Sequence, residues 1–181
     1  NAYEEKQQDI RKEKLKGYKI ILASGSPRRQ QFFKDLDLDF EIKLKEVEEI
    51  YPENLTHHQI TDYLALLKAN AFEGTLNEND ILVTSDTLVW HNNKALGKPK
   101  DEEDAFQMLQ SLSGKTHEVI TSVCFKTKDK FEVFHCVSKV TFNEFTSEEI
   151  RYYIEKYKPL DKAGAYGIQE WIGLIGIQKM E

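Results

Sequence analysis

The apolar run Tyr18-Lys-Ile-Ile-Leu-Ala23 stops at Ser24-Gly-Ser-Pro27 and gives way at once to Arg28-Arg-Gln-Gln-Phe-Phe-Lys-Asp-Leu36. A short run rich in Ile and Leu, bounded by turn residues, reads as a buried strand. Ser26 supplies an N-cap and Pro27 a fitting first helical residue, so a helix follows directly, with Phe32, Phe33 and Leu36 on one face. A strand, a tight loop and a helix in immediate succession form a β-loop-α unit, which already argues against a helical bundle or a β-sandwich.

The same alternation continues along the chain. Phe40, Ile42 and Leu44 alternate with charged residues as in a half-exposed strand. Thr56 and Gln59 stand in capping-box register before a stripe of Ile60, Tyr63, Leu64, Leu67 and Ala71, which predicts a helix. Residues 81–90, Ile-Leu-Val-Thr-Ser-Asp-Thr-Leu-Val-Trp, read as a strand, and His91-Asn-Asn-Lys94 as a hairpin turn. Ala105, Met108, Leu109 and Leu112 share a face of the next helix, with acidic residues in its first turn and Gly114 just past its end. Two long alternating segments, 117–127 and 131–142, flank a turn at Lys128-Asp129 and predict an antiparallel hairpin. Thr146 and Glu149 repeat the capping box before a helix that Pro159 ends. The expected fold is α/β, with a mixed sheet flanked by helices. Residues 1–17 are expected to be a charged tail or lead-in helix, and residues 18–181 a single domain.

Composition excludes several functions. The formal net charge of the 181 residues is -6, which argues against nucleic-acid binding through a broad basic surface, so an anionic ligand would need a local cluster of cations. No apolar run approaches the roughly 18 residues of a membrane span, and the first residues are too polar for a signal peptide, so no membrane partner and a cytoplasmic location are expected. Cys124 and Cys136 lack the close pairing of zinc or redox motifs and are expected to be reduced core residues. The adjacent His57 and His58 do not have the i, i+4 spacing of two ligands on one helix face.

Chemistry concentrates in a few places. Ser24-Gly-Ser-Pro-Arg-Arg29 joins a permissive glycine, hydroxyls, a helix N-terminus and two arginines, Arg28 and Arg29. Exposed amides and guanidinium forks suit a phosphate, although a capped helix with surface arginines has the same spacing. Asp86 lies between apolar residues in mid-strand, where a carboxylate must be paired, hydrogen-bonded or hold a metal. It would serve as a proton acceptor or metal ligand, or else as a structural hydrogen-bonding group at a strand end. Lys68 flanks the apolar stripe, so its ammonium either reaches a cleft or snorkels to water. Lys98 sits between Gly97 and Pro99 on a stiff loop, and Lys162 joins a glycine-bearing turn; each fits a phosphate cradle or a plain surface loop. The acidic run Glu46, Glu48, Glu49 is a solvated loop unless one carboxylate shares a metal with Asp86. Leu112-Ser-Gly-Lys-Thr116 imitates the end of a P-loop, but it follows a helix and lacks the earlier glycine.

Taken together, these stretches resemble the Maf family of nucleoside triphosphate pyrophosphatases. The resemblance rests on Leu22-Ala-Ser-Gly-Ser-Pro-Arg-Arg29, Glu46-Val-Glu-Glu49, Lys68-Ala69, Ser85-Asp-Thr87, Leu96-Gly-Lys-Pro99, Leu112-Ser-Gly-Lys-Thr-His117 and Asp161-Lys-Ala-Gly-Ala-Tyr-Gly-Ile-Gln169. It implies a two-lobed elongated mixed sheet with a central cleft, related to the inosine-triphosphate pyrophosphatases. It also implies hydrolysis between the α and β phosphates with a divalent metal, Mg²⁺ or Mn²⁺. By motif, Asp86 matches the proton acceptor and Arg28, Thr87 and Gln169 positions tied to substrate choice, while on the physical reading Asp86 and Glu49 would bridge the metal to the triphosphate. Glu49, Lys68 and Lys98 match further charged residues of the cleft, Ser24 and Arg29 belong to its phosphate loop, and Lys162 is expected to join the lysines in binding the triphosphate. Asp-Thr at 86–87 with the Tyr-Gly-Ile-Gln run resembles the dTTP and UTP branch. A broader purine pyrophosphatase and a non-catalytic nucleotide-binding regulator of septum formation are the alternatives, and the resemblance admits a homodimer. It also implies a further loop and short apolar segment after Glu181.

Overall fold

The computed structural model describes residues 2, 4–7, 14–167 and 176–181. Gln169, one of the expected specificity residues, lies outside them. Among the described residues the elements are β1 (Lys19–Leu22), α1 (Pro27–Asp35), β2 (Phe40–Ile42), α2 (His58–Asn70), β3 (Asp80–His91), β4 (Lys94–Leu96), α3 (Glu102–Leu112), β5 (Thr116–Lys126), β6 (Phe131–Phe142), α4 (Ser147–Tyr157) and β7 (Ile177–Met180). Two single-turn 3₁₀ helices, Pro159–Asp161 and Ala163–Ala165, follow α4. The strand order is β2-β1-β3-β5-β6-β7, with β4 paired on β3. β1 runs parallel to β2 and β3, whereas β4 and β7 are antiparallel to their partners. This is the expected α/β fold with a mixed sheet.

The chain forms two compact units, each assembled from three stretches. The first comprises Asn1–Tyr51, Asp62–Asp86 and Ser122–Phe134. Its core is Ile21, Ala65, Ala69, Phe72, Leu82 and Cys124, beside a smaller group of Ile20, Leu22 and Val83. The register Leu22 to Val83 in the β1–β3 pair continues through the Ala23 amide, which donates to the Val83 carbonyl at 3.0 Å. The loop leaving β1 is thereby carried alongside the middle of β3. Ser26 caps α1 and accepts from the Arg29 amide, as its sequence signature predicts. Phe32 corrects the expectation for that helix, because it is 59% exposed and α1 buries no residue fully. Phe33 alone of the two rings packs against the Ile20 group.

The second unit comprises Pro52–Thr61, Thr87–Thr121 and His135–Glu181. Ala105, Phe106, Leu109 and Leu112 of α3 meet Ile150, Tyr153 and Ile154 of α4 over Val89, Val140 and Phe142. Phe106 takes the buried place expected of Met108, which is only partly buried. Thr146 and Glu149 form the capping box, and Lys158 in the left-handed region (φ 45°) ends α4 before Pro159. Asn92 and Asn93, both at positive φ, make the β3–β4 turn. Cys136 is exposed, whereas Cys124 is buried. The cysteines therefore do not share a core role: Cys136 lies on the strand face of the buried Val140 and Phe142, but in the stretch Phe134–Val137 of β6 where both faces are exposed.

Gly164 sits at φ +68°, and a Cβ there would lie 2.5 Å from Val89 Cγ2. Left-handed strain and overpacking together should make Gly164→Ala destabilising by roughly 2–4 kcal/mol. Chemical denaturation checks this, and an unchanged midpoint would contradict the packing. His117 is fully buried and bonded to the Tyr166 hydroxyl at 2.6 Å. Desolvation, with His91 adding repulsion, lowers its pKa from 6.5 to about 4. Below pH 6.5 the unfolded chain takes up a proton here that the folded chain refuses, so stability falls as pH drops. Between pH 7.5 and 4.5 this residue should account for a loss of roughly 2–3 kcal/mol. Urea unfolding of His117→Gln should show a flatter pH slope than the parent, and equal slopes would refute the assignment.

Candidate active site

In the first unit, the parallel register and one side-chain bond assemble the site. Thr84 Oγ1 donates to the Ala65 carbonyl at 2.7 Å, and the fully buried Ala65 and Ala69 let α2 lie close against β3. Lys68, on the turn between these alanines, is thereby held over Ser85 and Asp86. Its ammonium donates to Asp86 Oδ1 at 2.9 Å and to the Ser85 carbonyl at 3.1 Å. It also pairs with Glu49 Oε1 at 3.1 Å. Asp86 is the seventh of the twelve residues of β3, which corrects the strand-end alternative. The partner that its burial demands is Lys68.

The loop after β1 is stiffened from within. Ser24 is buried; its Oγ accepts from the Ser26 amide at 3.2 Å and its carbonyl from Gln30 Nε2 at 3.0 Å. Arg29 Nη1 reaches the Ser85 carbonyl at 3.5 Å. Arg28 is exposed. Ser24, Arg29, Glu49, Lys68 and Asp86 thus gather in this unit, at the C-terminal end of the parallel strand β1, where ligands of parallel sheets bind. Two contributors carry no residue signature in the sequence. The Ser85 carbonyl, a backbone group, serves both cations, and Gln30 acts through its chance to fold back on the loop.

Electrostatics follow from burial. Desolvation raises the Asp86 pKa above the usual carboxylate value; the Lys68 charge and hydrogen bond oppose it, Glu49 adds to it, and Arg29 opposes it. Desolvation likewise lowers the Arg29 pKa, against the attraction of Asp86.

The remaining expected residues belong to the second unit. Thr87 Oγ1 lies 3.0 Å from Thr121 Oγ1. Lys98 is exposed, and Lys162 pairs with Asp161 at 3.1 Å. The Gly164 amide donates to the Gly97 carbonyl at 3.1 Å, so the loops bearing Lys98 and Lys162 are tied together. His57 pairs with Glu118 at 3.0 Å, and the His58 and His135 rings stack at 4.2 Å. Helix α2 also sets His58 and Asp62 one turn apart, an i, i+4 pair of potential ligands missed by considering only His57 with His58.

A profile described as Maf-like protein matches residues 19–181. A Flavobacterium johnsoniae relative named dTTP/UTP pyrophosphatase is 72% identical over 170 residues, covering 94% of this chain and 88% of its own. A relative of the same name from Flavobacterium psychrophilum is 66% identical over 166 residues, covering 92% and 85%. The solved structure of the Staphylococcus aureus Ham1 protein superposes with a TM-score of 0.51 at 20% identity, over 87% of this chain and 90% of that one. That likeness shows a shared fold.

The raised Asp86 pKa has a consequence for stability. A carboxyl whose folded pKa lies above its unfolded value favours the folded state below pH 3.8 and loses that contribution as pH rises through the folded pKa. Asp86→Asn should therefore gain most in melting temperature over the parent near pH 8, the gain shrinking toward pH 4. A gain independent of pH, or a loss that deepens with pH, would contradict the burial of an ionised carboxylate.

Proposed function

Because the chain belongs to the Maf family, we propose that it is a nucleoside triphosphate pyrophosphatase that hydrolyses dTTP and UTP to the monophosphate and pyrophosphate, as its close relatives are named to do. The observation that carries the mechanism is Asp86, a buried mid-strand carboxylate held at 2.9 Å by a single ammonium. Burial makes that carboxylate a stronger base than a solvated one, which suits a group that takes the proton of an attacking water. Arg29 and Lys68 supply cationic donors for phosphate oxygens, and the Ser24 loop presents backbone amides at the N-terminus of α1.

Asp86, Glu49 and the Ser85 carbonyl converge on one point, an all-oxygen donor set that suits a hard divalent cation. Asp86 and Glu49 would hold Mg²⁺ or Mn²⁺. Such an ion, when bound, would neutralise charge developing on the departing pyrophosphate. Arg28, Thr87 and Gln169 are assigned to substrate choice and Lys98 to the charged cleft on the motif match, and Lys162 to phosphate charge from its place on a glycine-bearing turn; the Gln169 amide offers the donor and acceptor that a pyrimidine edge requires. Among the described residues no helix is long and apolar enough to cross a membrane. The same reading carries a cytoplasmic location, where nucleotide pools reside, and a homodimer, which light scattering tests.

Pyrophosphate release should be brisk with dTTP and UTP plus Mg²⁺ or Mn²⁺, and slight with ITP and 7-methyl-GTP. Asp86→Asn should lower kcat on the order of 10²–10⁴-fold while retaining nucleotide binding. Turnover of ITP without dTTP would move the assignment to purines. Binding of dTTP without turnover by the parent protein would make it a regulator instead.

A further inference from the structure

We propose that the Lys68 ammonium is a resident stand-in for the divalent cation, so that the free protein resists the metal and accepts it only when a triphosphate draws Lys68 away. This rests on the reading of Asp86 and Glu49 as the metal's ligands. An ammonium has three N–H donors, and the three acceptors Asp86 Oδ1, Glu49 Oε1 and the Ser85 carbonyl stand at 2.9, 3.1 and 3.1 Å from Nζ. Its donors are saturated by the same oxygens that a metal would need. A divalent ion would draw these oxygens to about 2.0–2.6 Å, and it could not share their focus with a second cation.

Charge leads to the same conclusion. The charged groups acting on Asp86 are Lys68, Glu49 and Arg29; two carboxylates against two cations leave no net charge to attract an ion. Phosphate oxygens are better partners for Lys68 and Arg29 than for carboxylates, so a triphosphate would recruit both cations and leave the carboxylate pair unopposed. Lys68 can make that move. It is a point charge on a flexible four-carbon stem, and its side chain keeps 21% exposure, against 10% for Asp86. Glu49, at 44%, is the freer of the two carboxylates. Nucleotide and metal affinity are then coupled, each strengthening the other by the same factor.

The test is Mn²⁺ titration of the protein without nucleotide at pH 8, with free Mn²⁺ read by electron paramagnetic resonance. Lys68→Met should bind Mn²⁺ about tenfold or more tightly than the parent, because ligand charge sets the affinity of such sites. Lys68→Gln is the second variant should Met disturb the packing, and circular dichroism confirms the fold of each. Lys68→Arg, which keeps a cation in place, should bind as weakly as the parent. Glu49→Gln added to Lys68→Met should remove the gain, locating the ion between the two carboxylates. Equal Mn²⁺ affinity in the parent, Lys68→Met and Lys68→Gln, or tight binding by the parent, would overturn the stand-in role. Pyrophosphate release from dTTP by the parent protein is measured separately. Its presence alongside equal Mn²⁺ affinities would reject the stand-in alone, and its absence would reject the pyrophosphatase reading whatever the metal titration gave.

Discussion

A carboxylate in the middle of a strand loses its water and must recover that solvation from its neighbours. For Asp86 the recovery comes mainly from one group, the Lys68 ammonium, and the surrounding unit is arranged to hold it there. Thr84 ties the Ala65 carbonyl to β3, two small alanines bring α2 close, and Ser85 turns its carbonyl to the same Nζ. The compensation is incomplete, since the Asp86 pKa remains raised. A residual cost of this kind is consistent with the proposed role of Asp86 as a proton acceptor.

In the second unit the comparable investment is in backbone. Gly164 and Ala165 both adopt positive φ, which for alanine is a strained conformation tolerated only where the surroundings enforce it. Here they do so through Val89 packed at Gly164, the Gly164-to-Gly97 hydrogen bond and the buried Tyr166–His117 pair. The Gly167 amide is bound in turn by the Tyr153 hydroxyl at 3.0 Å. The stretch from Lys162 to Gly167 is thus fixed over its length by groups of its own unit.

Much of this was legible from residue order, for identifiable reasons. Asp86 stood out because a charge in an apolar run is expensive, and Lys68 because it flanked a helical stripe whose core side was already assigned. The capping boxes and the Asn92-Asn93 turn are local interactions, so local sequence suffices to find them. What failed to show was tertiary. Phe32 and Phe33 look alike to a helical pattern, yet only Phe33 packs against the Ile20 group. Cys136 alternates in step with the buried Val140 and Phe142, yet it falls in a stretch of β6 that is exposed on both faces. In Glu46-Val-Glu-Glu49 the family resemblance picks out Glu49, but residue chemistry alone does not mark it as the one that meets Lys68, because that meeting depends on where a loop without regular structure comes to rest. The Ser85 carbonyl, the acceptor shared by Lys68 and Arg29, has no side-chain identity to read.

Cleavage of a nucleoside triphosphate between its α and β phosphates is the activity proposed for this site. It is tested most directly by following dTTP with the protein and Mg²⁺ by ³¹P NMR. The three triphosphate resonances should decay as the signals of dTMP and of pyrophosphate grow in equal molar amounts. Growth of orthophosphate with dTDP, or a triphosphate spectrum that does not change, would contradict it.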